Sequence, residues 1–136
     1  VLTGEVREIF RSPNLIVDQY REQSVLLIAG NYANRNLSII RLGTSNTAPA
    51  IADTAITGAV GIAISSNTFT TPYSNVRAVT FTAILDADEG NDVAFVEAGL
   101  FFANGLMGAR LVFPIMTKSA NFIWTLNWTL SVTAGS

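Results

Sequence analysis

The chain has no cysteine and no histidine. Without thiolates the fold is indifferent to redox compartment and no thiolate metal site can be built. Without imidazole, nucleophilic triads and dyads of the usual kinds and histidine-ligated zinc are excluded, which removes most hydrolases. Charge is scarce too. Charged residues make up 13% of the 136, against a usual share of about a quarter. Lys118 is the single lysine, and the arginines (Arg7, Arg11, Arg21, Arg35, Arg41, Arg77 and Arg110) are scattered along the chain. With a net charge of −2, there is no electrostatic footprint for nucleic acid. A surface this poor in charge is weakly defended against association.

Long apolar runs are also missing. The longest uncharged stretch, Thr54 to Val76, has an apolar centre of only Ala59 to Ile64 before Ser65-Ser66-Asn67, too short for a membrane helix. Val1-Leu2-Thr3-Gly4-Glu5 shows none of the basic, apolar and small-residue regions of a signal peptide, so synthesis in the cytoplasm is expected. The length suits one domain, residues 1–136, able to bury about two-thirds of its unfolded surface without disulfides or metals.

Acid–base chemistry is left to ten carboxylates, of which only Asp86, Asp88, Glu89 and Asp92 cluster. Asp86-Ala87-Asp88-Glu89-Gly90-Asn91-Asp92 places oxygens at positions one, three and seven of a calcium-loop template, with Glu97 at its twelfth. The match is partial, because the glycine comes one place early and strands replace the flanking helices. A solvated acidic loop between strands is the favoured reading, with Asp86, Asp88 and Asp92 as weak calcium candidates. One crowded loop supplies no opposed carboxylate pair for glycoside hydrolysis. No cofactor is expected.

What the sequence does have is β-pattern. Val93 to Phe102 and Leu106 to Phe113 flank Ala103-Asn104-Gly105, and Asn-Gly between apolar runs signals a two-residue type I′ hairpin, whose central residues need φ > 0. That turn pairs Phe102 with Met107, Leu100 with Ala109, Ala98 with Leu111 and Val96 with Phe113, an apolar and therefore buried face. The other face carries Phe95, Glu97, Gly99 and Phe101 against Gly108, Arg110 and Val112. Glu97 then lies diagonally across from Arg110 as a structural cross-strand pair. From Phe122 to Val132 apolar residues alternate with Ile123, Thr125, Asn127, Thr129 and Ser131, the mark of a half-buried strand with Trp124 and Trp128 in the core. Val93 to Val132 thus reads as three consecutive antiparallel strands.

Upstream, residues 5 to 17 read as an opening strand, a turn at Ser12-Pro13-Asn14 and a short apolar piece. One short helix is expected near residues 18–29, with Asp18 as N-cap, Val17, Tyr20, Ser24, Leu27 and Ile28 near one face, and Gly30-Asn31 as its end. Leu37 to Leu42 reads as a buried strand, Gly43 to Pro49 as loop, Asp53 to Ile56 as one helical turn, and Val60 to Ile64 as a strand. Asn67 to Asn75, with Pro72, reads as loop or irregular edge. Val76 to Leu85 is a strand apolar on both faces, so both sides should be covered. Phe69, Tyr73 and Tyr32 fall in loop-like sequence and suit outward contacts. The fold expected is mainly β, a single-domain antiparallel β-sandwich, jelly-roll-like, with one helix.

The order of several short motifs resembles a group of small virion structural proteins of tailed bacteriophages. Those motifs are Asn14 to Val17 before a helix ending in Ala29-Gly30-Asn31, Ile39 to Thr44 with Thr47-Ala48-Pro49 and Asp53 to Ile56, Val79 to Ala83, Glu97 to Phe101, Ala109-Arg110, Phe113-Pro114-Ile115, Thr117-Lys118 and Trp124 to Leu126. The group's Ile-Ala-Leu-Gly-Thr-Gly pattern differs from Ile39-Ile40-Arg41-Leu42-Gly43-Thr44-Ser45 here. The resemblance implies a non-enzymatic, capsid-decorating (cement) or tail-associated protein located in the virion. Its partners would be copies of itself, as a homotrimer on quasi-threefold shell positions, and virion proteins such as the major capsid protein. Contacts are expected at a sheet face or edge and through Val1 to Arg11. The alternatives are a tail fibre or baseplate component, or a module binding host carbohydrate.

Overall fold

A computed structural model describes residues 15–58 and 60–134. The opening strand and turn expected before Leu15, and the contacts assigned to Val1 to Arg11, lie outside those residues. Seven strands and one helix follow in the order β1 (Leu15–Ile16), α1 (Asp18–Ile28), β2 (Leu37–Gly43), β3 (Val60–Tyr73), β4 (Val76–Leu85), β5 (Ala94–Phe102), β6 (Met107–Thr117) and β7 (Trp124–Thr133). They form one antiparallel sheet ordered β1-β6-β5-β2-β3-β4-β7. Strands β2 to β5 are a Greek key, since the fourth of them returns to lie beside the first.

β3 makes the sheet into a sandwich. Val60 to Ala63 pair with β2, and from Ile64 the strand pairs with β4, with a register shift between Ile64 and Ser66. The sheet folds over at that shift, so β4 and β7 close over β2, β5 and β6. Ile40, Leu42, Leu100 and Ala109 from one half and Phe81, Leu85 and Trp128 from the other form one buried cluster. The two layers are halves of a single sheet. β7 is bonded to β4 at the far end of that sheet, so the last of the three consecutive strands does not adjoin β6.

The β5–β6 register agrees with the sequence reading from Glu97↔Val112 through Ala98↔Leu111 to Leu100↔Ala109 and departs from it at both ends. At the tip, Asn104 does not take a positive φ and only Gly105 does, at 89°. Gly105 donates to the Phe102 carbonyl and Phe102 to that of Leu106, which makes a three-residue loop with glycine in the left-handed position. Gly108 is then an extra residue that sets Phe101, not Phe102, against Met107. Met107 accordingly packs with Phe101 and Val17 on the second face. At the other end the register shifts between Phe95 and Glu97, where Pro114 on β6 has no N–H for a regular ladder. The shift turns Phe95 into the main core against Trp124 and leaves Val96 without the expected partner Phe113.

Helix α1 begins with Val17 as N-cap and no side-chain cap; Asp18 is its first residue. It ends as expected. Gly30, at φ 98°, donates to Leu27 and Asn31 donates to Leu26, the pair of bonds of a Schellman motif. The buried face differs from the sequence reading: Gln23 is buried while Leu27 and Ile28 are exposed. Hydrogen bonds explain the choice. Gln19 Oε1 accepts from the Met107 N–H beside the Gly108 bulge, and Gln23 Oε1 accepts from Asn104 Nδ2. The Gly108 carbonyl accepts from Val17, so the bulge and the helix start satisfy each other's backbone groups.

Three further expectations are corrected. Asn67 to Tyr73 is not loop but continues β3 as an irregular edge, paired with β4 alone and with a break in the ladder between Thr70 and Tyr73 where Pro72 falls. Asp53 to Ile56 is not helical; Ile51-Ala52 is a turn closed by Asp53 donating to Ala50. On the outer face of β4 Ala78 is buried, Thr80 and Thr82 are half-buried and Ile84 is 43% exposed, so among the described residues that face is covered only in part.

Candidate functional site

Buried charge occurs at two places in the fold. In the first, Glu97 on β5 and Arg110 on β6 are diagonal neighbours, since Arg110 stands opposite Gly99. Arg110 Nε donates to Glu97 Oε1 at 3.0 Å, Nη1 to Asp53 Oδ2 at 3.1 Å, and Nη2 to the Ser45 carbonyl at 3.4 Å. Glu97 Oε2 accepts from the Ser45 N–H at 2.6 Å and the Thr57 N–H at 3.0 Å. Glu97 and Arg110 are buried, and Asp53 is half-buried.

These bonds fasten the β2–β3 connection across the second face of β5 and β6. Ile56 from that connection packs on Phe101 and Met107, and the Ile51 carbonyl accepts from the Asp18 N–H at the start of α1. Gly43 permits the approach: a Cβ there would stand 2.6 Å from the Thr57 oxygen and 2.8 Å from Glu97 Oε2. Both oxygens of Glu97 accept, and all three side-chain nitrogens of Arg110 donate, within the cluster, so the two buried members are turned inward. Its chemistry is that of a largely buried ion cluster, which specifies where a loop lies.

The second cluster is the acidic loop. Lys118, next after β6, is buried and its Nζ donates to the Ala87 carbonyl and to Asn91 Oδ1. Asn91 Nδ2 also donates to Ala87, and Asp92 N–H to the Lys118 carbonyl. Asp86, Asp88 and Asp92 are exposed. Among the described residues no group of three carboxylates is arranged to hold a metal ion. The loop's inward oxygens are taken by an ammonium.

Asp53 and Lys118 are the members that sequence reasoning missed. A guanidinium with five donors needs more acceptors than one glutamate supplies, but nothing in the chain says that Asp53 is the other. A lone lysine in a chain poor in charge was the available sign for the second cluster.

At one end of the sandwich an apolar cleft of about 480 Å³ opens between α1 and the ends of β3, β4 and β7, lined by Leu27, Phe69, Phe81 and Leu130 with Arg35 and Arg77. The arginines donate to backbone carbonyls, Arg35 to Asn31 and Arg77 to Ser74 and Val76. Phe69, Tyr73 and Tyr32 are exposed, while Trp128 is buried and Trp124 half-buried. No described helix is long and apolar enough to cross a membrane.

Fold and clusters together define a β-sandwich whose buried charges hold its own loops. No family model, curated protein or solved structure matches the chain.

Proposed function

We propose that this chain is a non-enzymatic structural protein of a tailed-bacteriophage particle, a capsid decoration (cement) protein that binds and stabilises the outer shell as a symmetric oligomer. One observation carries the reading. The buried charged residues Glu97, Arg110 and Lys118 are all spent on internal bonds, while large apolar side chains stand at the surface, among them Val25, Ile28, Ile115, Ile123 and Val132. A catalyst needs the reverse, an accessible polar group in a cleft. A protein seated among repeated neighbours can cover its apolar surface with them.

The motif resemblance supports the same class and adds the partners: the major capsid protein, and copies of this chain that meet symmetrically on the particle. Exposed Phe69, Tyr73 and Tyr32 favour a second reading, a tail component or a host-carbohydrate-binding module, since exposed aromatic faces are what a sugar stacks on. Quantitative mass spectrometry of purified particles tests the proposal. Hundreds of copies per particle support the cement role, a few support the tail, and absence from the particle refutes both.

A further inference from the structure

The two terminal strands of the sheet are built differently. β1, at one edge, is only two residues long, and beside it β6 carries Pro114 and two register shifts against β5. Short strands, proline and bulges are the usual means of blunting an edge. β7, at the other edge, has none of them. It runs ten residues, Trp124 to Thr133, in unbroken register with β4 from Leu85↔Trp124 to Val76↔Thr133. It has no proline, glycine or charged residue. Among the described residues β4 is the only element running alongside it. A strand about twice the common length therefore presents a row of N–H and C=O groups with no partner strand among the described residues, which is a template for another strand.

We propose that the occupant is β7 of a second copy of this chain, paired antiparallel about a two-fold axis at Trp128. In an antiparallel pair, directly opposed residues share a face. Self-pairing must therefore set odd positions against odd and even against even. Centring on Trp128 sets Leu126 opposite the second copy's Leu130 and Trp124 opposite its Val132 on the core side. On the outer side it sets Asn127 opposite Thr129 and Thr125 opposite Ser131. The match is apolar to apolar and hydroxyl or amide to hydroxyl, with no like charges to repel. Val132, 72% exposed in one copy, gains an apolar neighbour. The outer row already joined by Thr80–Thr129 at 2.7 Å and Thr82–Asn127 at 2.8 Å continues into the second molecule.

This contact goes beyond the proposed virion role and does not depend on it, because it concerns two copies free in solution. Sedimentation equilibrium of the purified full chain tests it. The wild type is expected at twice the chain mass. Thr125→Lys with Ser131→Lys places like charges opposite each other at both ends of the pairing and should weaken the dimer at least tenfold with an unchanged circular dichroism spectrum. Thr125→Lys with Ser131→Glu places opposite charges there and should restore it. A wild-type monomer or trimer, a lysine pair variant that still dimerises as tightly, or a Lys–Glu variant that stays monomeric would each overturn the proposal.

Discussion

Lys118 Nζ lies 2.8 Å from Asn91 Oδ1 and 3.1 Å from the Ala87 carbonyl, so an ammonium holds the acidic loop from within. Calcium at millimolar concentration should then leave the melting temperature unchanged, and EDTA should do nothing. Lys118→Met leaves Asn91 Oδ1 without its donor and the Ala87 carbonyl with only Asn91 Nδ2, and should cost about 1–3 kcal/mol, with faster amide exchange in residues 86–92. A reversible rise in melting temperature with calcium would turn Asp86, Asp88 and Asp92 into a site.

The Glu97–Arg110 pair is buried, and breaking it from one side leaves charge uncompensated. Arg110→Met alone should destabilise by about 3–5 kcal/mol, because Glu97 and Asp53 lose their counter-ion together. In a double-mutant cycle with Glu97→Gln the coupling should fall in the upper part of the range of about 0.5–3 kcal/mol found for contacting residues. Urea unfolding of the four proteins measures it. Coupling near zero would mean that the two side chains are solvated and apart.

Gly43→Ala tests the close packing under the same cluster. A methyl there meets a backbone oxygen at 2.6 Å, so the loop must move, at about 1–3 kcal/mol. Gly105→Ala meets nothing within 4 Å and carries only the left-handed φ of 89°, worth about 1 kcal/mol. The first variant should also speed amide exchange in the β2–β3 connection, and the second should not.

Catalysis is expected to be absent. Purified protein assayed on polysaccharide, peptide and ester panels should show no turnover. Turnover abolished by Asp88→Asn or Asp92→Asn would contradict the reading.

Much of this fold is legible where local pattern and tertiary structure agree. Alternation from Trp124 to Leu130 follows from side-chain period alone, and the register at Leu100↔Ala109, counted back from a two-residue turn, holds because the Gly108 bulge makes up for the longer loop. The Glu97–Arg110 diagonal follows from that register. What escaped depends on groups distant in sequence. The Gly108 bulge exists because Val17 and Gln19 bond the backbone it frees, and no hairpin rule contains them. Helix α1 turns Gln23 inward and Ile28 outward for its bond to Asn104, against its own hydrophobic pattern. Pro72 argued against a strand, yet its missing N–H falls where the β3–β4 ladder is already interrupted. Asp53 joins Arg110 across 57 residues, a pairing that only the folded loop creates.

Cryo-electron microscopy of the intact particle, with the chain fitted to the density, decides whether this protein is a structural component of the capsid exterior. Copies are expected on the outer capsid lattice, their apolar surface covered by neighbours, each specific contact burying more than about 1,000 Å². Density for the chain at the tail alone, or its absence from the particle, would contradict that expectation.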